Sequence, residues 1–213
     1  MSHFVGFCFG NDIENNLEQY DENLPVESYV VYTKDEAIDL CKQNVAESYS
    51  NAVQQLKNLS ACSDELINHY QKIIDKGLFI SYEDAWEKAK KWGYEIDKDE
   101  NLISSYNQNA KWDWYVIGGR WNNFLPLKID NSKSKLSTNS AYVKDIDWEF
   151  LLNENRLPFC YINENGDWHE KGEMCWWGLI HNEQETESWK QQFTNFIKTL
   201  DDNCLVTVID FHI

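Results

Sequence analysis

Apolar positions recur along the chain with two spacings, which predict strands at both ends and helices between them. The aromatic segment His3–Phe9 and the closing residues 204–213 have the length and composition of strands. Helical spacing follows Thr33, where Glu36 stands three residues later and completes a capping box. The same spacing predicts three more helices, over residues 63–75, 81–93 and 183–200.

The order of these elements predicts an α+β fold. A strand comes first, helices follow, then a run of short strands, and a helix and a strand close the chain. This order favours a mixed or antiparallel sheet covered by helices. The closing elements predict a ferredoxin-like C-terminal half, and Asn165-Gly166 predicts a hairpin turn. We expect a single domain over residues 1–213, with a helical insertion at about residues 34–93 and a mobile loop at about residues 130–140.

Charge and cysteine usage narrow the function classes. The 36 acidic residues outnumber the 19 basic ones, and the formal charge of −17 opposes binding to nucleic acid or to anionic membranes. An acidic surface serves solubility, or it meets a basic partner protein as a decoy. The N-terminus has no signal-peptide pattern, and the six cysteines lack C-x-x-C spacing. Buried free thiols in a reducing cytoplasm are the simplest interpretation.

The segment K-W-D-W-Y-V-I-G-G-R-W, residues 111–121, is the first candidate site. Arg120 is one of two arginines in the chain, and it follows a glycine pair that permits close approach of backbone to a ligand. One interpretation is a pocket whose rings stack a base or sugar while the guanidinium binds phosphate or carboxylate. The other is a kinked strand held by an Asp113–Arg120 ion pair. The predicted ligand-binding residues are Trp112, Asp113, Trp114, Tyr115, Gly118, Gly119, Arg120, Trp121, Glu173, Trp176 and Trp177.

Strand alternation makes a specific prediction for this segment. If residues 112–117 form one strand, Trp112 and Trp114 share one face, while Asp113 and Tyr115 share the other. The glycines would then join this strand to a second one over residues 120–127. Glu173 and the Trp176-Trp177 pair belong to the predicted ligand-binding site, because adjacent tryptophans before a glycine can form a shelf on which a ring stacks.

The terminal strand is the second candidate site. Asp210 and His212 are two residues apart and therefore share a face of a strand. His3 joins them if the two terminal strands pair. The three side chains suit general acid–base catalysis or metal binding. The alternative is a polar strand end without function. Neither a recognised catalytic signature nor a cofactor motif is present, so the sequence assigns no metal site and leaves the cofactor unknown.

Several motifs together resemble a family of uncharacterised proteins from bacteriophage and bacterial genomes. They are the opening S-H-F, Y-D-E-N at residues 20–23, W-D-W-Y-V-I-G-G-R-W, G-E-M-C-W-W-G at residues 172–178 and the terminal V-I-D-F-H-I. The resemblance runs from end to end but leaves out residues 39–108. It implies a phage or prophage setting and a role in host takeover or counter-defence, and it supplies no catalytic residues.

Three functional hypotheses follow. The first is a phage-type protein in the host cytoplasm that binds a small polar, nucleotide-derived ligand, such as a cyclic nucleotide, and sequesters a host immune signal. The second is a phosphodiesterase-like hydrolase that acts on such a molecule with His3, Asp210 and His212. The third is an acidic decoy that binds a host protein. Binding of nucleic acid or membranes is not expected, and a homo-oligomer is compatible with all three.

Overall fold

The computed structural model describes residues 2–58, 64–128, 136–175 and 178–213. They form two compact units, Met1–Pro25 with Tyr106–Ile213 and, separately, Val26–Ser105. The predicted helical insertion lies within the second unit. Among the described helices, none has both the length and the apolar character needed to span a membrane.

The described elements confirm an α+β class with helices and a mixed sheet. The helices are α1 (Ile13–Glu18), α2 (Lys34–Asn58), α3 (Asp64–Asp75), α4 (Tyr82–Ala89), α5 (Trp148–Asn153) and α6 (Thr186–Ile197). The strands are β1 (His3–Phe9), β2 (Tyr29–Tyr32), β3 (Glu95–Ile96), β4 (Leu102–Ser104), β5 (Trp114–Ile117), β6 (Leu125–Pro126), β7 (Ser137–Thr138), β8 (Ser140–Tyr142), β9 (Cys160–Ile162), β10 (Trp168–Glu170), β11 (Glu173–Met174), β12 (Ile180–His181) and β13 (Leu205–His212).

The first unit is built on a sheet whose centre comes from the two ends of the chain. Its strand order is β10-β9-β1-β13-β5, and β8 also pairs with β13. β1 and β13 pair antiparallel along seven positions, from His3 opposite His212 to Phe9 opposite Val206. β1 and β9 are the parallel pair. β1 and β13 are apolar and buried along nearly their whole length, as expected for central strands that are covered on both faces.

Each face of this sheet carries its own apolar cluster. On one face, Phe7 and Val208 belong to a cluster that includes Trp189 and Phe193 of α6. On the other, Phe4 and Phe211 belong to a cluster that includes Leu17 of α1. Both clusters follow from strand alternation, because successive side chains of β1 and β13 point to opposite faces.

The second unit packs helices α2 and α4 together beside a three-stranded sheet of order β2-β4-β3. The predicted capping box is present, since the Thr33 N–H donates to Glu36 Oε2 at 2.9 Å and the Glu36 N–H to Thr33 Oγ1 at 3.4 Å. The buried cluster of this unit is formed by Ala37, Ile38, Cys41, Ala85, Trp86, Ala89 and Leu102.

The C-terminal region differs from the ferredoxin-like half predicted from the sequence. The strand before α6 is β12, and it pairs with β11 in a separate two-stranded sheet. The closing strand, helix and strand therefore do not form one unit of the main sheet. β11 and β12 are two residues long each and pair with one another.

The predicted loop at about residues 130–140 is ordered in its second half. β7 pairs with β6, and β8 pairs with β13 from Ser140 opposite Thr207. Its polar composition predicts a loop, but β8 belongs to an edge of the main sheet, where polar side chains face water. Residues 129–135 lie outside the described part of the chain.

Candidate functional site

Three neighbouring strands place four predicted site residues side by side. His3 lies opposite His212 and Val5 opposite Asp210 in the pairing of β1 with β13. Trp114 lies opposite His212 in the pairing of β13 with β5. Because residues paired in register point to the same side of a sheet, His3, Asp210, His212 and Trp114 share one face. This is the face of the sheet that packs against α6 through Val206 and Val208, and the four residues lie beyond them, toward the C-terminal end of β13.

Asp210 and His3 form a buried hydrogen-bonded pair. His3 Nδ1 lies 2.8 Å from Asp210 Oδ1, and the two side chains are only 8% and 4% exposed. The other carboxylate oxygen, Oδ2, accepts a hydrogen bond of 2.8 Å from the backbone N–H of Arg120. Both oxygens of a buried carboxylate thus have partners, which offsets the cost of removing it from water. His3 Nδ1 is the donor to Asp210, so its Nε2 is left for chemistry.

The glycine pair brings backbone close to this carboxylate. Gly118 and Gly119 both have positive φ, 74° and 48°. A Cβ at Gly119 would lie 2.3 Å from Asp210 Oδ2. Gly119–Trp121 form a short 3-10 turn, instead of continuing the strand that the sequence predicts. The turn, and not a kinked strand, is what directs the Arg120 N–H at Asp210.

Asp113 and His212 form a second pair next to the first. His212 Nδ1 lies 2.5 Å from Asp113 Oδ1, and the Asp113 N–H donates to the His212 carbonyl at 3.0 Å. The His212 side chain is 6% exposed, whereas that of Asp113 is 33% exposed. His212 Nε2 is buried and has no hydrogen-bond partner among the described residues. A buried ring nitrogen without a hydrogen-bond partner lowers the stability of the folded state, so the burial of His212 calls for an explanation.

Ring contacts join the two pairs into one cluster. The His3 and His212 rings meet edge to face with centroids 4.9 Å apart. Trp114 stacks on His212 at 4.9 Å with an interplanar angle of 19°, and its ring meets His3 at 5.3 Å. The orientation of each imidazole is therefore fixed both by a carboxylate and by neighbouring rings.

A pocket of about 420 Å³ opens beside His3. Its wall combines His3 and the amine-bearing Lys171 with Thr186, the first residue of α6. No aspartate or glutamate is among the described residues that line it, although acidic residues outnumber basic ones in the chain. Its other walls are apolar or aromatic and are formed mainly by Phe4, Val5, Trp121, Leu157, Pro158, Phe159, Met174 and Trp189.

The structure separates residues that the sequence groups together. β5 begins only at Trp114, and the expected alternation fails before it. Trp112 packs with Tyr115 at 5.1 Å in the cluster on the opposite face of the sheet. Asp113 instead bonds to His212 on the face of Trp114. Trp112 forms an isolated bridge with Asp21, which is distant in sequence, and the chain bends at Asp113 before β5 begins.

The Arg120 side chain is exposed, and the predicted Asp113–Arg120 ion pair is absent. Asp113 bonds to His212, and Arg120 contributes its backbone N–H to the cluster. Trp121 lines the pocket beside His3, and Glu173 lies exposed in β11. Trp176 and Trp177 lie outside the described residues. The structure thus brings His3, Asp210 and His212 together, whereas ligand binding at Arg120 stays a prediction.

Four contributions are not apparent from the sequence. Strand alternation predicts the wrong face for Asp113 and therefore does not predict its bond to His212. Lys171 and Thr186 reach the pocket from separate elements, and nothing in their local sequence marks them. The N–H of Arg120 carries no side-chain signal at all, although the glycine pair before it indicates a close backbone approach.

Three of the described thiols, those of Cys8, Cys160 and Cys204, are poor nucleophiles because they are buried. Burial raises the pKa of Cys8 to about 12, and the pKa of Cys160, in the neighbouring strand β9, also rises well above its ordinary value because of burial. Burial, with a smaller effect of Glu164, raises the pKa of Cys204 to about 11. These thiols stay protonated near neutral pH, and the thiolate is the reactive form. The five described cysteines are free, as predicted.

Among the described residues, no group of three or more histidine, cysteine, aspartate or glutamate side chains is arranged to hold a metal ion. Comparison with protein-family models, with curated proteins and with solved structures finds no significant match. The geometry of the cluster and its pocket is therefore the basis for assigning a function.

Proposed function

We propose that the chain is an acid–base hydrolase that acts on a phosphodiester of a small, polar, nucleotide-derived molecule, with His3 as the catalytic acid–base group. The observation that carries the proposal is the Asp210–His3 pair at the wall of the 420 Å³ pocket. A carboxylate on Nδ1 fixes the ring and its tautomer and leaves Nε2 to exchange protons with substrate.

The chemistry requires only this ring and water. Nε2 of His3 takes a proton from a water molecule as the water oxygen bonds to phosphorus. The bond from phosphorus to the leaving oxygen breaks, and the same ring returns the proton to that oxygen. Asp210 stabilises the imidazolium that exists between the two transfers. The Arg120 N–H keeps Asp210 in place through its second oxygen, 2.8 Å away.

The pocket wall supports an anionic substrate. Lys171 is the one lysine among the described residues of the wall, and its Nζ lies 2.6 Å from Glu183 Oε1, so its charge is partly balanced. Thr186, the first residue of α6, adds a hydroxyl group that can donate a hydrogen bond to a phosphate oxygen. With no carboxylate among the described lining residues, a phosphate meets little repulsion there despite the net charge of −17. Trp121 and Phe159 provide aromatic surface for a base.

His212 and Asp113 act as positioning residues in this scheme. His212 is almost fully buried, and its Nε2 has no access to solvent. It touches His3 through the ring contact of 4.9 Å. Its hydrogen bond to Asp113 and its stacking on Trp114 hold that ring, and through it the His3 ring, in place.

The resemblance to phage proteins supports the setting of the activity. A phage-encoded hydrolase of this kind would act in the host cytoplasm on a signal nucleotide of the host defence. The first hypothesis, sequestration without turnover, places the ligand at Arg120 and the aromatic residues around it and needs no proton transfer. The two ideas are separated by what happens to the ligand.

The test is incubation of the full chain with a panel of cyclic mono- and dinucleotides and with bis(p-nitrophenyl) phosphate. Chromatography before and after heat denaturation shows whether each compound is changed or released intact. We expect hydrolysis, and we expect His3→Gln to slow it by about 10⁴-fold or more. His69→Gln is the matched control, because His69 is exposed on α3.

Each other outcome contradicts the proposal. Release of intact nucleotide that depends on His3 would replace the hydrolase by a sequestering protein. Hydrolysis that persists at full rate in His3→Gln would move the activity to another site. Neither binding nor hydrolysis, together with salt-sensitive capture of a basic host protein, would favour the acidic decoy.

A further inference from the structure

A second pocket lies within the unit Val26–Ser105, and it shares no lining residue with the pocket beside His3. Its volume is about 330 Å³, at the lower end of the range typical of small-molecule sites. One wall is a stripe of α2 with helical spacing, Cys41, Asn44, Val45 and Ser48. The opposite walls come from the end of α3 and from the end of α4 and the turn after it.

The apolar part of this pocket lies where α3 faces α2. Val45, Ile73 and Trp92 supply most of the apolar lining. α3 has a strongly amphipathic sequence but no buried residue. A helix whose apolar face stays unburied has the surface to receive a ligand.

The charge of the rim is opposite to that of the chain. Lys76 and Lys88 both line the pocket, and no aspartate or glutamate is among its described lining residues. Neither lysine forms an ion pair within the described ranges. Both are exposed, so they are available to a ligand from solvent. Two unpaired ammonium groups beside an apolar wall favour an anionic head attached to an apolar body.

We propose that this pocket binds a small amphipathic carboxylate, with its aliphatic chain against Val45, Ile73 and Trp92 and its head between Lys76 and Lys88. This site is independent of the proposed hydrolase, because all its lining residues belong to the unit Val26–Ser105. Asn44 and Ser48 lie on the same wall and can donate hydrogen bonds to the carboxylate.

The test is calorimetric titration of the full chain with decanoate below its micellar concentration. We expect saturable binding of one equivalent, with decyltrimethylammonium bound at least about 10-fold more weakly because its head is repelled by the two lysines. Lys76→Gln and Lys88→Gln should each weaken decanoate about 3- to 10-fold. Lys72→Gln, an exposed α3 position that does not line the pocket, is the control.

Ser48→Trp provides a steric test at an exposed position of α2, where the larger ring should fill the pocket and abolish binding without unfolding the helix. Circular dichroism checks the fold of every variant. Absence of decanoate binding, equal binding of the cationic surfactant, or no effect of the Lys76, Lys88 and Ser48 substitutions each overturns the proposal. A dimer that Ser48→Trp dissociates, without decanoate binding, would assign the pocket to a second copy instead.

Discussion

His3 and Asp210 come from opposite ends of the chain, and their side chains meet at 2.8 Å because β1 and β13 pair in register. The contact spans 207 positions of sequence. Asp210 holds the ring through one oxygen and the backbone of Arg120 through the other. A change at Asp210 therefore disturbs both the candidate catalytic ring and the turn beside it.

Asp210→Asn tests the orienting role of the carboxylate. The amide can still accept from the Arg120 N–H, but its second group donates and cannot accept from His3 Nδ1. We expect hydrolysis to fall by about 10³- to 10⁴-fold, the size seen when an orienting aspartate is neutralised in a catalytic triad. Substrate KM should change little, and unfolding should become easier by about 1–3 kcal/mol. Steady-state kinetics measures the rate and KM, and urea titration measures the free energy of unfolding.

Asp202→Asn is the control for that experiment, because it removes the same charge at an exposed position. Equal losses of activity in the two variants would assign the effect to net charge. A loss of stability in Asp210→Asn without any change in kcat would leave Asp210 a purely structural residue.

Gly119→Ala tests the close approach of the turn to Asp210. The new Cβ would lie 2.3 Å from Asp210 Oδ2 at a φ of 48°, so either the turn or the carboxylate must move. We expect a loss of at least about 2 kcal/mol in the free energy of unfolding, measured by urea titration. Gly178→Ala is the control, since φ there is 72° but the nearest atom, Ser2 Oγ, is 3.6 Å away.

Comparison of the two alanine variants separates backbone strain from the contact. Gly178→Ala should lose only about 1–2 kcal/mol, the cost of a left-handed conformation. Equal losses in both variants would show that strain alone accounts for Gly119, and that its distance to Asp210 does not matter.

Local signals predicted the elements that local interactions form. Thr33 and Glu36 form their capping box with the expected hydrogen bonds, because the two residues lie one turn apart. Ser81, where a predicted helix begins, caps α4 by accepting from the Asp84 N–H at 3.0 Å. The histidine cluster was also accessible, since two apolar terminal strands with Asp210 and His212 two residues apart meet His3 as soon as the strands pair.

The remaining features depend on contacts that no short segment encodes. Strand alternation predicts that Trp112 lies on the face of Trp114. Trp112 instead bridges to Asp21 and β5 begins only at Trp114, so that Asp113, and not Trp112, lies on the face of Trp114. The pocket beside His3 takes its walls from Trp121 and from Thr186, among others. Those residues are far apart in sequence, so their proximity is a property of the folded sheet and helix.

Alkaline pH should destabilise the first unit through its buried thiols. Burial raises the pKa of Cys8 to about 12 from an ordinary value of 9.0. Below about pH 9 the thiol is protonated in both states, and its stabilising contribution is complete. Between about pH 9 and 12 the unfolded chain releases the proton while the folded chain retains it, so the free energy of unfolding falls as pH rises.

Cys8→Ala should make this fall shallower by up to about 1.4 kcal/mol per pH unit, the linkage of one proton. The measurement is urea unfolding between pH 8.5 and 10.5. Part of the dependence of the free energy of unfolding on pH should remain in Cys8→Ala, because burial also raises the pKa values of Cys204 and Cys160. Cys175→Ala, a half-exposed position, is the control, and a slope that Cys8→Ala leaves unchanged would contradict the prediction.

The hydrogen bonds of the two histidines predict their tautomers. His3 and His212 each present Nδ1 to a carboxylate oxygen, at 2.8 Å and 2.5 Å. Since an ionised carboxylate only accepts, the proton of each neutral ring should reside on Nδ1. Long-range ¹H–¹⁵N correlation spectra recorded above the usual titration range of imidazoles distinguish the two nitrogens directly.

Two variants make that measurement specific to each pair. Asp210→Asn should convert His3 alone, because the Arg120 N–H engages the amide oxygen and leaves the NH2 group facing Nδ1. Asp113→Asn should leave the His3 tautomer unchanged, because each carboxylate bonds to one ring. An Nε2–H tautomer for His3 in the unmodified chain would remove the free lone pair that the hydrolytic step needs. It would contradict the proposed role of His3 even if the pocket bound a nucleotide.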